Sequence, residues 1–403
     1  MKKKILLLSP QNVIPATDGG KIGIFTPMKM LAEEFDVKAI IFVGPSEYFD
    51  AADYRKMNVD AVIAPINKKD KAASALVNPL SDLPFKFAKY FTKKHKLLVE
   101  QICTTWKPDV IICHHAHLAK YCKDIKKKLA SATVILREHN VEYLLVEQYY
   151  QNQNNFLLRQ FSYWQFKKTK RFEECCWNYF DKIIFISDSD FKSFVNCNAK
   201  GFIIYDGTNN REHNITPIFQ KSKSFLFSGS LHSYQNKVNL KNFIDTIWAP
   251  WKESNPLSED YELWVTGDRE ENFVLDQSGL TAGKAGLYKI KILGFVEDLN
   301  TVMQKAMFFI SPTIIGAGIR IKVLQALGLG CVTFLTTKDL EISSKLQDRE
   351  NVLWYDGLTS FDEQVKKITA DNSLYTSIAA NAVRTVQDNF TWDIFYKKLK
   401  DIL

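Results

Sequence analysis

The chain has 403 residues, of which 46% are hydrophobic and 24% charged, and a formal net charge of +8. That balance excludes a disordered or fibrous chain and leaves room for two or more domains with ordinary cores. The surplus of Lys and Arg suits an anionic partner such as a nucleotide phosphate or a lipid headgroup, without choosing between them. Basic residues are interleaved with acidic ones and no RNA- or DNA-binding motif occurs, so nucleic acid is not an expected partner. Seven cysteines, two of them adjacent at Cys175 and Cys176, show neither disulfide-framework nor zinc spacing and read as thiols of a reducing cytosol. The opening MKKKILLLSPQN imitates a signal peptide, but its apolar core, Ile5 to Leu8, is too short and reads as a first strand. No run approaches the roughly 18 apolar residues that a membrane span needs.

In chain order, Lys4 to Leu8 is followed by a loop ending Asp18-Gly19-Gly20-Lys21, then a helical pattern to about Phe35. Two glycines between strand and helix let the backbone approach a ligand closely. Val37 to Val43 and Ala61 to Pro65 read as the next strands, and Pro84 to Ile102 as a single basic helix studded with Phe and Tyr. Val110 to Cys113 is a strand with His114, His115 and His117 at its carboxyl end. Side chains of adjacent strand residues face opposite ways and no Cys or carboxylate cluster accompanies these histidines, so no metal is assigned to them. Val134 to Leu136 leads into Arg137-Glu138-His139-Asn140-Val141-Glu142, a concentration of polar groups at a strand end that suits hydrogen bonding to a polar ligand. Leu157 to Tyr179 is a second basic, aromatic helix. After strands at Asp181 to Ile186 and Phe202 to Tyr205, the polar stretch from Asp206 to about Lys223 reads as a linker.

The strand–helix alternation then restarts. Phe225 to Phe227 ends in the small-residue turn Ser228-Gly229-Ser230, and Tyr261 to Val265 in Thr266-Gly267-Asp268. Ile290 to Leu293 is followed by Gly294-Phe295-Val296. Met307 to Thr337 is the most informative stretch. A strand, the loop Gly316-Ala317-Gly318-Ile319, a helix carrying Val323, Leu324 and Leu327, and the strand Cys331 to Leu335 make a βαβ unit of a parallel sheet. Arg320 and Lys322 stand in the first helical turn, where the dipole disfavours cations. Either an anion such as phosphate lies nearby or the two point into water. Two successive sets of strands and helices imply two Rossmann-like doubly wound α/β domains with a cleft between them.

GAGIRIKVLQALGLGCVTFLTT resembles the donor-binding segment of retaining glycosyltransferases of the family-4 type. FSGSLHSYQNKVNLKNFIDTIWAP and R-x-H-N-x-E are similar to further segments of one subgroup of that family. The resemblance implies a GT-B architecture: an acceptor domain over residues 1–208, a nucleotide-sugar domain over 209–385 and a helix over 386–403 that returns to the first domain. It implies transfer of a sugar, with retention, from a nucleotide-diphosphate sugar to a glycan or lipid-linked acceptor, without metal or other cofactor. Bacterial surface polysaccharide, lipopolysaccharide or glycan synthesis is the setting usual for such relatives. His114, Glu138, Arg320 and Lys322 are then the expected catalytic residues. Gly19, Gly20, Gly229, Ser230, Gly267, Phe295, Val296, Gly316, Ala317, Gly318, Ile319 and Gln325 would hold the donor, and His117, His139 and Asn140 the acceptor. Two departures stand out: Ala317 and Gln325 replace the family's two glutamates, the second of which holds the ribose hydroxyls. Gln accepts one such bond but carries no charge. A cytoplasmic protein is implied, with 85–102 and 156–174 as candidate contacts with the inner face of an anionic membrane. A non-catalytic partner subunit with a decayed donor site and a nucleotide-sugar 2-epimerase stay open as alternatives.

Overall fold

The computed structural model describes residues 2–68, 78, 81–194, 199–209, 216, 218–318 and 320–403. The chain divides into two compact units, the first made of residues 1–206 and 395–403, the second of 207–394.

The first unit is built on seven parallel strands: β1 (Lys4–Ser9), β2 (Asp36–Val43), β3 (Val59–Pro65), β4 (Val110–His114), β5 (Thr133–Glu138), β6 (Lys182–Phe185) and β7 (Lys200–Ile203). Their order across the sheet is β3-β2-β1-β4-β5-β6-β7. Ile5 pairs with Val37 on one side and Val110 on the other, which places β1 in the interior of the sheet. A parallel sheet covered on both faces needs strands that are apolar throughout, and Ile5 to Leu8 are all buried. Helix Gly19–Glu34 follows β1, with Asp18 as its N-cap accepting from the Lys21 N–H at 3.0 Å.

Residues 84–102 depart from the single helix expected from sequence. They form a short helix, Phe85–Ala88, and a longer one, Lys93–Trp106, with Thr92 capping the second through the His95 N–H. Side-chain hydrogen bonds accompany the break. Phe87, Tyr90 and His95 all turn inward, and the His95 ring nitrogens lie 3.0 Å from the Tyr90 carbonyl and 2.9 Å from the Pro65 carbonyl. Helix Phe156–Cys176, by contrast, exposes a cluster at its start: Phe156 is 70% and Leu157 76% exposed, with Leu158 and Phe161 beside them.

The second unit holds six parallel strands: β8 (Ser222–Ser228), β9 (Glu262–Thr266), β10 (Ile290–Gly294), β11 (Ala306–Ser311), β12 (Val332–Leu335) and β13 (Leu353–Trp354). Their order is β10-β9-β8-β11-β12-β13. An aromatic cluster fixes its core. The Phe225 ring packs 4.8 Å from Phe308, 5.1 Å from Phe361, 5.3 Å from Phe334 and 5.7 Å from Trp248. After β13 come two helices, Leu358–Ala370 and Asn372–Asn389, with Asp371 capping the second. The last helix, Trp392–Ile402, runs from one unit into the other.

Candidate active site

In an open parallel sheet, ligands bind where strand order reverses, at the carboxyl ends of the strands. The second sheet reverses between β8 and β11. The turn after β8 carries Gly229 and Ser230, and the loop after β11 carries Gly316, Ala317 and Gly318, so the topology brings the expected donor residues to the same end of adjacent strands. Ile319 lies outside the described residues.

Local bonding fixes these turns. Asp268, buried, accepts from the Ser230 hydroxyl at 2.7 Å and from the Leu231 N–H at 2.6 Å. Gly267 sits against the same turn at φ 140°, and a Cβ there would come within 2.6 Å of the Gly229 carbonyl. No other residue fits that approach and that backbone. Asn236 donates to the Ser230 carbonyl at 2.9 Å. Gly294 accepts from the Gly267 N–H at 3.1 Å, and Phe295 and Val296 follow it at the edge strand β10. The Phe295 ring is 54% exposed, with the Arg269 guanidinium 5.2 Å from its centroid.

Arg320 and Lys322 are the largest refinement of the sequence reading, because neither simply faces water. Arg320 Nε donates to Asp339 Oδ1 at 3.0 Å, and Asp339 is buried. Burial raises the Asp339 carboxyl above its ordinary range, against the pull of Arg320. Gly316, at φ 151°, leaves space for that guanidinium, since a Cβ would stand 2.1 Å from Arg320 Nη2. Lys322 Nζ reaches back across the reversal point to Ser228 Oγ, 3.1 Å away at the end of β8. Gln325, half-buried one turn on, donates its amide to Asn300 Oδ1 at 2.6 Å.

Asn239 was missed from sequence. Its side chain, buried on helix Tyr234–Phe243, accepts from the Ile314 and Ile315 N–H groups at 3.0 Å and donates to the Ile315 carbonyl at 2.9 Å. It thus clasps the backbone just ahead of the glycine loop. Only an Asn buried among apolar neighbours could have signalled it. Asn239→Ala is expected to lower the stability of this unit by about 1–3 kcal/mol, the cost of buried polar groups left without partners. Denaturant unfolding checks this; a loss under about 0.5 kcal/mol would mean that water replaces the clasp. A separate pocket of about 280 Å³, lined by Thr313, Thr336, Lys338 and Asp356 among others, contains none of the expected site residues.

In the first unit strand order reverses between β1 and β4. Gly19 and Gly20 open the helix after β1, and His114 ends β4. His114 Nδ1 lies 3.0 Å from His139 Nε2, which joins two of the expected residues; His139 follows β5. Burial, then the Arg137 and His115 charges, hold the His114 imidazole well below its ordinary pKa, and the same groups act on His139. Gly23 packs on this pair, with a would-be Cβ 3.3 Å from His139 Nδ1 and 2.9 Å from Asp206 Oδ2. Asn140 is half-buried just beyond.

Glu138 lies elsewhere. Alternation along β5 sends it to the opposite face from Arg137, where it is fully buried and accepts from Trp177 Nε1 at 3.4 Å. Burial, with Glu173 and Glu142 nearby, pushes its carboxyl well up. Its placement is that of a core carboxyl rather than of a group facing solvent. His117 is held neutral by burial, its pKa lowered to about 3. The carboxylate that the local sequence around the three histidines lacks is supplied from the next crossover. Glu142 Oε1 stands 3.7 Å from His115 Nδ1 and 3.9 Å from His117 Nε2.

Residues 222–371, most of the second unit, match the family model described as glycosyl transferases group 1. Over 399 residues the chain is 19% identical to an uncharacterized 44.6 kDa protein in the cps region of Klebsiella pneumoniae, covering 96% of each. Among solved structures it is similar to sucrose-phosphate synthase from Thermosynechococcus elongatus, with a TM-score of 0.72 at 12% identity over 100% of this chain and 98% of that one. It is also similar to Anabaena Alr3699/HepE in complex with UDP-glucose, with a TM-score of 0.65 at 13% identity over 99% and 98%. The fold is that of the GT-B glycosyltransferases.

Proposed function

We propose that this GT-B chain, whose second unit is a glycosyl transferases group 1 domain, moves a sugar with retention from a nucleotide-diphosphate sugar to a glycan or lipid-linked acceptor. The observation that carries the reading is Lys322 reaching from the β11 side of the strand-order reversal to Ser228 on the β8 side, between two glycine turns. A diphosphate placed there meets the Lys322 cation, a second cation anchored on Asp339, and backbone N–H groups of both turns. These groups would carry the charge that develops on the leaving diphosphate, so the reading assigns it no metal. Gln325, with its amide nitrogen on Asn300, presents its carbonyl oxygen to a ribose hydroxyl. His114, coupled to His139, is the acceptor-side candidate, with His117 three residues after it and Asn140 next to His139.

Uridine is the favoured base, because a similar structure carries UDP-glucose. A surface-polysaccharide role rests on the full-length relative from a cps region. The described residues hold no helix long and apolar enough to cross a membrane. The exposed Phe156, Leu157, Leu158 and Phe161, followed by Lys167, Lys168, Lys170 and Arg171, would instead seat the protein on an anionic lipid surface on the cytoplasmic side.

The test is a thermal-shift and calorimetric screen of metal-free protein against uridine, guanosine and adenosine diphosphate sugars, repeated with Gln325→Glu. One nucleotide sugar at about a hundredfold above its Kd is expected to stabilise the fold by about 2.7 kcal/mol. Binding only after Gln325→Glu would move a non-catalytic partner role to the front. Conversion of the bound sugar without any acceptor would identify a 2-epimerase. No binding by either protein overturns the donor-site assignment.

A further inference from the structure

We propose that His115, His117 and Glu142 form a binding site in the first unit for one divalent transition-metal ion of the zinc class. The inference goes beyond sugar transfer and does not rest on it. The three donor atoms lie within 4.8 Å of one another. With Glu142 Oε1 at 3.7 and 3.9 Å from the two imidazole nitrogens, a point roughly 2.4 Å from all three exists, and a contraction of a few tenths of an ångström reaches zinc–ligand lengths of about 2.0–2.2 Å. Two imidazoles and a carboxylate with an open fourth position are a donor set that zinc uses. Nitrogen donors select against magnesium and calcium, which take oxygen.

Three independent observations point to a ligand there. His115 and Glu142 are more than nine-tenths buried, yet His115 Nδ1, the nitrogen that faces Glu142, has no hydrogen-bond partner. At 3.7 and 3.9 Å the imidazole–carboxylate contacts are too long to be hydrogen bonds, so a buried carboxylate faces two rings across a gap that one cation would close. The backbone at His115 is held at φ 64°, ψ 148°, with its N–H on the Arg137 carbonyl at 2.9 Å. A positive φ at a non-glycine residue costs on the order of 1–3 kcal/mol and is kept where the surroundings require it.

The supports are also those of a built site. The His115 ring stacks on His139 at 4.5 Å, and the His117 ring meets the Phe87 ring edge at 4.4 Å. Glu142 opens helix Glu142–Gln151, and the buried Glu173 carboxylate fixes its position by accepting from the Glu142 and Tyr143 N–H groups, each at 2.9 Å. The ion would pin the end of β4 to the start of that helix, and through the His115–His139 stack it would set the His114–His139 pair. Its role is positional; no bond of a substrate is made or broken at it.

The experiment is a cobalt(II) titration of the full chain, free of any histidine tag and stripped with a chelator, followed by visible absorption and backed by zinc competition. Wild-type protein is expected to bind about one equivalent with the d–d bands of a four- or five-coordinate nitrogen–oxygen site, displaced by zinc. His117→Asn and Glu142→Gln, each checked for native circular dichroism, should bind at least about a hundredfold more weakly, since even outer partners of a ligand are worth 10–100-fold. Two variants are used because Glu142 also begins a helix. The wild-type titration stands without either. No d–d absorption in wild type overturns the proposal. So does a thiolate-to-cobalt charge-transfer band, which would place the ion on a cysteine instead, and so does undiminished binding in both variants.

Discussion

Arg137→Met is expected to lower the stability of the first unit by about 3–5 kcal/mol, because it leaves the Asp206 carboxylate buried without its counter-charge. The guanidinium donates to Asp206 and to the Gly23 carbonyl, and lies 4.5 Å from the centroid of the Phe395 ring. Arg137, Asp206 and Phe395 are all buried. One side chain thus ties the helix after β1, the strand β5, the segment after β7 and the last helix. A whole domain is stable by only about 5–15 kcal/mol, so the loss is a large fraction. Both partners are shifted by burial in the directions that oppose charge, Asp206 up and Arg137 down, so the pair is held by each other rather than by solvent. The measurement is hydrogen exchange of β1 and β5, which isolates this unit from the other. Arg137→Met with Asp206→Leu should recover most of the loss, since a buried ion pair replaced as a whole by apolar groups is often neutral. A single variant that loses under about 1 kcal/mol would show that Asp206 protonates or finds water instead.

Lys322→Met is expected to cut turnover by about 10²–10³, or 2.7–4 kcal/mol of barrier, with little loss of melting temperature. The contrast with Arg320→Gln gives the prediction its power. The bond from Lys322 to Ser228 goes to a neutral hydroxyl and is worth about 1 kcal/mol. Arg320 leaves behind the buried Asp339 carboxylate, so its variant should lose stability as well as turnover. Kinetics on the nucleotide sugar found in the screen, paired with melting curves, separates the two. If Lys322→Met turns over at the parent rate, the diphosphate does not lie at the β8–β11 reversal.

Much of this was legible in the chain. Runs such as Ile5 to Leu8 and Met307 to Ile310 could only be buried parallel strands, and the glycines at 229, 267 and 316 marked the turns at their carboxyl ends. What sequence could not show was where long polar side chains go once the sheet has formed. Arg320 reads as a bare cation until Asp339, 19 residues on, is seen beneath it. Glu138 reads as a strand-end acid until the pleat sends it under Trp177. The three histidines read as lacking a carboxylate because Glu142 arrives from the neighbouring crossover, a distance in sequence that periodicity does not span. The helix expected over residues 84–102 is interrupted by local bonds that periodicity does not show: Thr92 caps a new helix through the His95 N–H, and His95 Nδ1 lies 3.0 Å from the Tyr90 carbonyl.

The first unit closes with residues 395–403, which lie beyond the whole of the second. On a ribosome, where domains generally fold as they emerge, residues 207–394 are all released while the first sheet still lacks its final piece. Until Phe395 arrives, the Arg137–Asp206 pair has no ring over it. The nascent first unit therefore waits for a helix that is made only after the whole of the second unit.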